Sequence, residues 1–141
     1  MITDQDELKK KIDSLDDEAR EVTQNKGTEA PFSGKYVDEH SDGSYHCAVC
    51  GQKLFESDVK FDSQSGWPSF TQAITGSVTL TPDHSHGMSR IEVTCSNCGA
   101  HLGHMFADWP VDPKLNNGKT KVTDFCINSC ALDFKKKGSD K

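Results

Sequence analysis

Apolar residues recur at helical spacing near the start of the chain and at strand spacing through most of the remainder. Leu8, Ile12 and Leu15 sit four and three residues apart among charged neighbours, with Asp4 where an N-cap belongs, so this segment is predicted to be a helix. Gly27, Pro31 and Gly34 break that pattern. Tyr36 to His46 then reads as strand, turn and strand around Ser41-Asp42-Gly43, and further strands are expected at Gly76 to Leu80, Ser89 to Thr94 and Phe125 to Phe134. Ser89-Arg90-Ile91-Glu92-Val93 alternates polar and apolar residues as a half-buried strand does. Pro, Asn and Gly gather between Pro110 and Gly118, which predicts a surface loop. No internal repeat or low-complexity tract interrupts the pattern. The class expected is mainly β with one N-terminal helix.

Composition adds a constraint on stability and two exclusions. The chain has 141 residues, enough for one domain with a modest core, and only 33% are hydrophobic. With a mean hydropathy of −0.67, a cross-link or metal clamp would contribute materially. Sixteen Lys and Arg face 22 Asp and Glu, the wrong balance for tracking phosphates, so nucleic acid is not an expected partner. Lys135-Lys136-Lys137 reads as a solvated basic tail. No apolar run approaches the ~20 residues of a membrane span. Met1 to Glu7 lacks the basic and apolar regions of a secretion signal, so the expected location is the reducing cytoplasm.

That location decides how the six cysteines are read. Four form two CxxC pairs, Cys47/Cys50 and Cys95/Cys98, each followed by glycine. In a reducing compartment such pairs bind metal more often than they bond to each other. A thioredoxin-like redox pair opens a helix and occurs once; here the motif occurs twice in turn-like surroundings. Four thiolates suit a closed tetrahedral Zn²⁺ site with no open position for substrate, although iron accepts the same ligands. The 44 residues from 51 to 94 that separate the pairs make the metal a clamp between distant segments rather than the centre of one small finger.

Three further elements carry candidate chemistry. His101-Leu102-Gly103-His104 follows the second pair directly, with Asp108 four residues on. The two imidazoles are either polar members of a metal knuckle or acids that titrate near neutral pH. Gly66-Trp67-Pro68-Ser69-Phe70 is a rigid aromatic turn, and Trp67 is either core packing or the wall of a pocket for an apolar group. Cys126 and Cys130 are the two thiols left over. A free cysteine is usually a small buried hydrophobe, and a nucleophilic one needs help, because an unperturbed thiol near 8.5 is mostly protonated at neutral pH.

Together these elements resemble the B-type methionine-R-sulfoxide reductases from about Val22 to Phe134. The resemblance rests on Val22-Thr23-Gln24-Asn25, Gly27-Thr28-Glu29 and Pro31-Phe32, on Phe61-Asp62-Ser63 with Gly66 to Phe70, and on Ser85-His86-Gly87-Met88 with Arg90, Glu92 and Val93. It is completed by His101 to His104 and Cys126-Ile127-Asn128-Ser129. It implies antiparallel sheets tied by a four-cysteine zinc site of Cys47, Cys50, Cys95 and Cys98. It divides the chain into a helical extension (1–21), the reductase domain (22–134) and a basic tail (135–141). Cys126 would attack the sulfoxide sulfur and become a sulfenic acid. His104, with His101 and Asp108, would protonate the departing oxygen, and Asn128 would hydrogen-bond near the reacting centre. Trp67, Phe106 and Arg90 would hold the substrate. The implied partners are oxidised proteins carrying methionine sulfoxide and a thiol reductant such as thioredoxin, acting on a monomer. The rival class is a zinc-clamped β module that holds a ligand in an aromatic cage without turning it over, and a third reading is a reductase impaired in recycling.

Two departures from the family pattern shape the expectations. The usual resolving cysteine of the tryptophan turn is replaced by Ser65. Cys130 is the only other thiol outside the metal set. If residues 126 to 130 form a strand, the Cα atoms of Cys126 and Cys130 lie ~13 Å apart, beyond the ~7 Å limit of a disulfide. Cys130 is therefore expected to be core, with a slow relay through it as the lesser alternative. Second, Asp124 stands where the family often has arginine, and an anion there disfavours the thiolate. Lys119 or Lys121 is the expected source of compensating charge.

Overall fold

The computed structural model describes residues 1–83 and 90–137. The expected helix is present as α1, Gln5–Ser14; Asp4 caps it by accepting from the Glu7 N–H at 3.3 Å, and Leu15 ends it. A second helix, α2, Asp17–Asn25, follows at once and corrects the expectation of one. Asp16 accepts from the Ala19 N–H, Ala19, Val22 and Thr23 form its buried stripe, and Lys26 closes it in the left-handed conformation (φ 58°). Leu8 and Val22 belong to the same core as the strands, and the 21/22 division falls inside α2.

Two antiparallel sheets make up the rest. The smaller has the order β2-β1-β9, with β1 Gly43–Cys47, β2 Lys53–Glu56 and β9 Leu132–Lys136. The larger runs β3-β4-β8-β7-β6-β5. Its strands are β3 Lys60–Phe61, β4 Ser69–Phe70, β5 Val78–Asp83, β6 Arg90–Cys95, β7 His101–Pro110 and β8 Lys121–Ile127. An aromatic stack joins the sheets: Phe55 lies on Phe70 at 4.3 Å, and Tyr45 meets Phe70 edge-on at 5.1 Å. All three rings are fully buried.

Two strand expectations are corrected. Only Gly43–Cys47 of the 36–46 segment is a strand; Tyr36 instead serves as a peg, accepting from the Phe134 N–H with its hydroxyl and donating its own N–H to Ser129 Oγ. The predicted strand from Phe125 to Phe134 is two strands in different sheets, β8 and β9, joined by a 3₁₀ turn at Ser129–Ala131. Cys130 thus sits in a turn, and the extended-strand spacing from Cys126 does not apply. The expected strands at 76–80 and 89–94 are observed as β5 and β6, Ser89 lying outside the described residues, and the 110–118 loop is present.

Candidate active site and metal centre

Each CxxC pair is a turn hung on the end of a strand. Cys47 ends β1 in the small sheet and Cys95 ends β6 in the large one. Gly51 and Gly99 donate back to the carbonyls of Cys47 and Cys95, both at 2.8 Å, and both take positive φ (84° and 79°), where a side chain would be strained. The two turns face each other, so the four sulfurs lie within 4.8 Å of one another. Cys47 and Cys98 sulfurs are 3.6 Å apart and those of Cys50 and Cys95 3.5 Å. A cation with bonds of about 2.3 Å to four tetrahedral sulfurs sets them about 3.8 Å apart, so the donor set fits a metal ion. Four thiols this close do not all ionise unaided. Hydrogen bonds from Cys47 and Cys98 hold Cys95 down at about 2, while contacts with Cys50, Cys95 and Cys98 push Cys47 far above the thiol range. A divalent cation at their centre lets all four be thiolates. Because one pair belongs to each sheet, a metal held here ties the two sheets together.

The large sheet has one apolar and one polar face, and register shows which residues share the polar one. Glu92 of β6 pairs with His104 of β7, His104 with Cys126 of β8, and Cys126 with Ser69 of β4. Cross-strand partners project to the same side with Cβ atoms about 5 Å apart, so these four form one row. Arg90, Phe106 and Asp124 stand one step along the same side. The adjacent row of Val93, Gly103 and Ile127 faces the core. Gly103 has no room for a side chain, because an added Cβ would collide with the Cys126 carbonyl.

Both histidines are paired with carboxylates. His101 is buried and shares a 2.9 Å hydrogen bond through Nδ1 with Glu92, whose other oxygen takes Lys26 at 3.1 Å. Burial pushes the His101 imidazole down, against the pull of Glu92. His104 bonds through Nε2 to Asp83 at 2.8 Å, and Arg90 reaches the same oxygen at 3.7 Å. Asp108 is the partner of neither; it lies exposed in the bulge where the β7–β8 register shifts between Phe106 and Trp109.

Cys126 is half-buried between His104 and Ser69, with Ser65 Oγ 3.6 Å from its sulfur. Ser65, Ser63 and Ser69 form a hydroxyl chain with links of 2.7 Å. Burial pushes the Cys126 thiol up to about 11; the Ser65 hydroxyl opposes this, Asp124 adds to it, and Ser69 opposes it more weakly. Asp124 is fully buried and neither oxygen has a hydrogen-bond partner among the described residues. Burial raises its carboxyl to about 6, tempered by the Ser69 hydroxyl. Lys119 and Lys121 are exposed, and Lys121, five residues before Cys126 on one strand, is on the opposite face.

The turn after Cys126 is held by a residue to which the sequence reading gave no role. Glu29 is buried, and its carboxylate accepts from the N–H groups of Ser129 (2.6 Å) and Cys130 (3.3 Å), capping the 3₁₀ turn. Its own N–H goes to Asn128 Oδ1 at 3.0 Å, and Asn128 Nδ2 donates to the Leu102 carbonyl. The Asn128 amide is thus engaged with backbone at both ends. Trp67 donates from its indole to the Glu29 carbonyl at 2.9 Å, so one residue fixes both the turn after Cys126 and the tryptophan. Asp83 was missed as well. Glu29 did leave a trace, as the only charged residue between Gly27 and Gly34. Burial pushes the Cys130 thiol up to about 12, with Glu29 adding to it. Ser85 to Met88 lie outside the described residues.

The SelR domain matches residues 15–136. A peptide methionine sulfoxide reductase MsrB of Variovorax paradoxus is 52% identical over 120 residues, covering 84% of this chain and 82% of the relative. The protein of that name from Thioalkalivibrio sulfidiphilus is 50% identical over 122 residues (86% and 83%), and that from Saccharophagus degradans 46% over 129 (91% and 90%). Among solved structures, the Mis18 "Yippee-like" domain overlaps with a TM-score of 0.47 at 18% identity, covering 69% of this chain and 98% of that one. With four thiols gathered at one end of the sheets and a single row carrying Cys126 and His104 across the polar face, the chain belongs to the SelR-domain family, the B-type methionine-R-sulfoxide reductases.

Proposed function

We propose that this protein reduces the R epimer of methionine sulfoxide in peptides and proteins, with Cys126 as nucleophile and a thiol from outside the chain as reductant. The observation that carries this reading is the cross-strand pairing of Cys126 with His104 on the polar face, in a chain about half identical to peptide methionine sulfoxide reductases. The Cys126 thiolate attacks the sulfoxide sulfur. The S–O bond of the substrate breaks as oxygen passes to Cys126, leaving methionine and a Cys126 sulfenic acid. His104, oriented by Asp83, delivers the proton to the oxygen, and the thiol proton restores His104. One external thiol then displaces water from the sulfenic acid, and a second releases Cys126 and carries away the disulfide. Ser65 next to the sulfur cannot serve as a resolving group, so an external thiol meets the sulfenic acid directly, with a slow relay through Cys130 as the lesser route. Trp67 holds the apolar end of the substrate, and Asn128 and Glu29 position the turn that presents Cys126. Zinc suits the four-cysteine centre as a structural ion that ties the sheets and leaves the reaction to these side chains.

The test offers both epimers of a methionine sulfoxide peptide to wild type and Cys126→Ser with dithiothreitol. Only the R epimer should be consumed, and only by wild type. A folded, metal-loaded protein that reduces neither epimer sinks the reading and leaves the aromatic-cage binding module.

A further inference from the structure

The tryptophan turn has two sides, and only one faces Cys126. The other opens into a cleft of about 390 Å³ walled by Phe32, Phe61 and Trp67, with Asp38 and Asp62 at its rim. Phe32 is 70% exposed, among the largest apolar surfaces the protein shows to solvent. It is held in place, since its N–H donates to the Gly66 carbonyl and Gly66 leaves no space above Pro31 and Phe32. Both carboxylates are exposed and enter no ion pair among the described residues. The nearby Lys60 donates to the Val37 carbonyl at 3.1 Å, and its charge offsets part, not all, of that of Asp38 and Asp62. The cleft thus offers two aromatic faces and a phenyl wall topped by net negative charge, in a chain of formal charge −6. A long aliphatic stem ending in a cation matches it: the stem packs on the rings, and the head reaches the carboxylates or lies over a ring.

We infer that this cleft is a subsite for a lysine or arginine adjacent to the oxidised methionine in the substrate polypeptide. The inference rests on the reductase reading, because it needs the methionine sulfoxide placed on the Cys126 side of the same turn. Ser63 and Gly66 line the cleft while Ser65 between them touches Cys126, so neighbouring residues of one bound peptide reach both places. The subsite selects among oxidised methionines by sequence context: basic neighbours are repaired fastest, acidic ones slowest.

Peptides with a central methionine sulfoxide flanked by lysine, norleucine or glutamate provide the test. At low ionic strength kcat/KM should fall in that order, lysine exceeding glutamate by about tenfold. The ratio should shrink in about 0.5 M salt, which screens the head but spares the stem. In Asp38→Asn/Asp62→Asn the lysine and glutamate peptides should agree within about twofold. Asparagine at 62 keeps the oxygen that accepts from the Gln64 N–H at 2.9 Å, so the turn is retained. Equal turnover of all three peptides by wild type overturns the subsite and leaves the reductase standing. Turnover of none of them overturns the reductase reading, and the subsite with it.

Discussion

Cys95 and Cys126 lie at or near the ends of strands two apart in one sheet, yet their surroundings make opposite use of the same thiol. Cys95 is buried among three other sulfurs and receives Gln52 Nε2 at 3.5 Å, so its proton is drawn off toward its neighbours. Among the described residues Cys126 has no second sulfur beside it; its neighbours are the His104 imidazole across the strands, serine hydroxyls and a buried carboxylate, and its proton is held. A metal needs several thiolates permanently ionised; a nucleophile in contact with solvent is better protected from stray oxidants if it ionises only when used. Identity of the residue settles neither outcome, and the charge of what surrounds it settles both.

The largest effect that would sharpen this contrast is loss of the metal. The binding free energy of a four-sulfur centre, about 10–16 kcal/mol in small zinc domains, matches or exceeds the whole stability of an ordinary domain. Chelation, or Cys95→Ser, should abolish the cooperative unfolding transition followed by circular dichroism, whereas Cys126→Ser should keep it. A chelated protein that still melts cooperatively near the original temperature would show that the two sheets hold without their clamp.

Next in size is Asp124→Asn. The carboxyl is raised from 3.8 to about 6 in the folded state. Its contribution to stability is therefore fully present below pH 3.8 and is lost as pH rises through about 6. The deficit above that is about 3 kcal/mol at most. Asparagine should raise the urea midpoint at pH 8 by an amount worth about 1–3 kcal/mol, less if its amide also lacks partners, and leave pH 4 nearly unchanged. The same variant should lower the pKa of Cys126 alkylation from about 11, since the anion beside it is gone. A pKa that stays put would mean that the two groups do not sense each other.

The smallest change in structure is Ser65→Cys. With the serine oxygen 3.6 Å from the Cys126 sulfur, a thiol there can capture the sulfenic acid directly. One equivalent of substrate without reductant should give a disulfide between the introduced thiol and Cys126 in the digested protein. Recovery of a persistent sulfenic acid instead would show that the turn cannot bring the sulfurs together.

What the sequence made legible was local. The metal turns are complete within five residues, and β6 alternates in plain view. Asp16 with Ala19, Val22 and Thr23 gave α2 a readable signature as well. Glu29 stood in the segment that carries the resemblance, but its role was not legible: its partners lie about 100 residues away, and no spacing rule links them. Asp108 was the natural partner for His104, because residues four apart on a strand share a face; the bulge after Phe106 removes it, and Asp83 on another strand takes the place. Tyr36 and Val37 carry strand-forming side chains but serve as turn and peg, a tertiary use that outweighs local preference.

The facing metal turns also bear on the order in which the chain can assemble. Each turn can form alone, soon after its five residues leave the ribosome, but their sulfurs are separated by 45 and 51 positions. Closing a loop of that length costs about 3 kcal/mol in chain entropy before packing offsets it. A cation caught by the first turn has two ligands until β6 has been synthesised and folded back, and only then does the second pair arrive. Metal capture at full affinity is therefore a late event in folding, and a chain truncated before Cys98 is expected to be a weak, exchangeable binder.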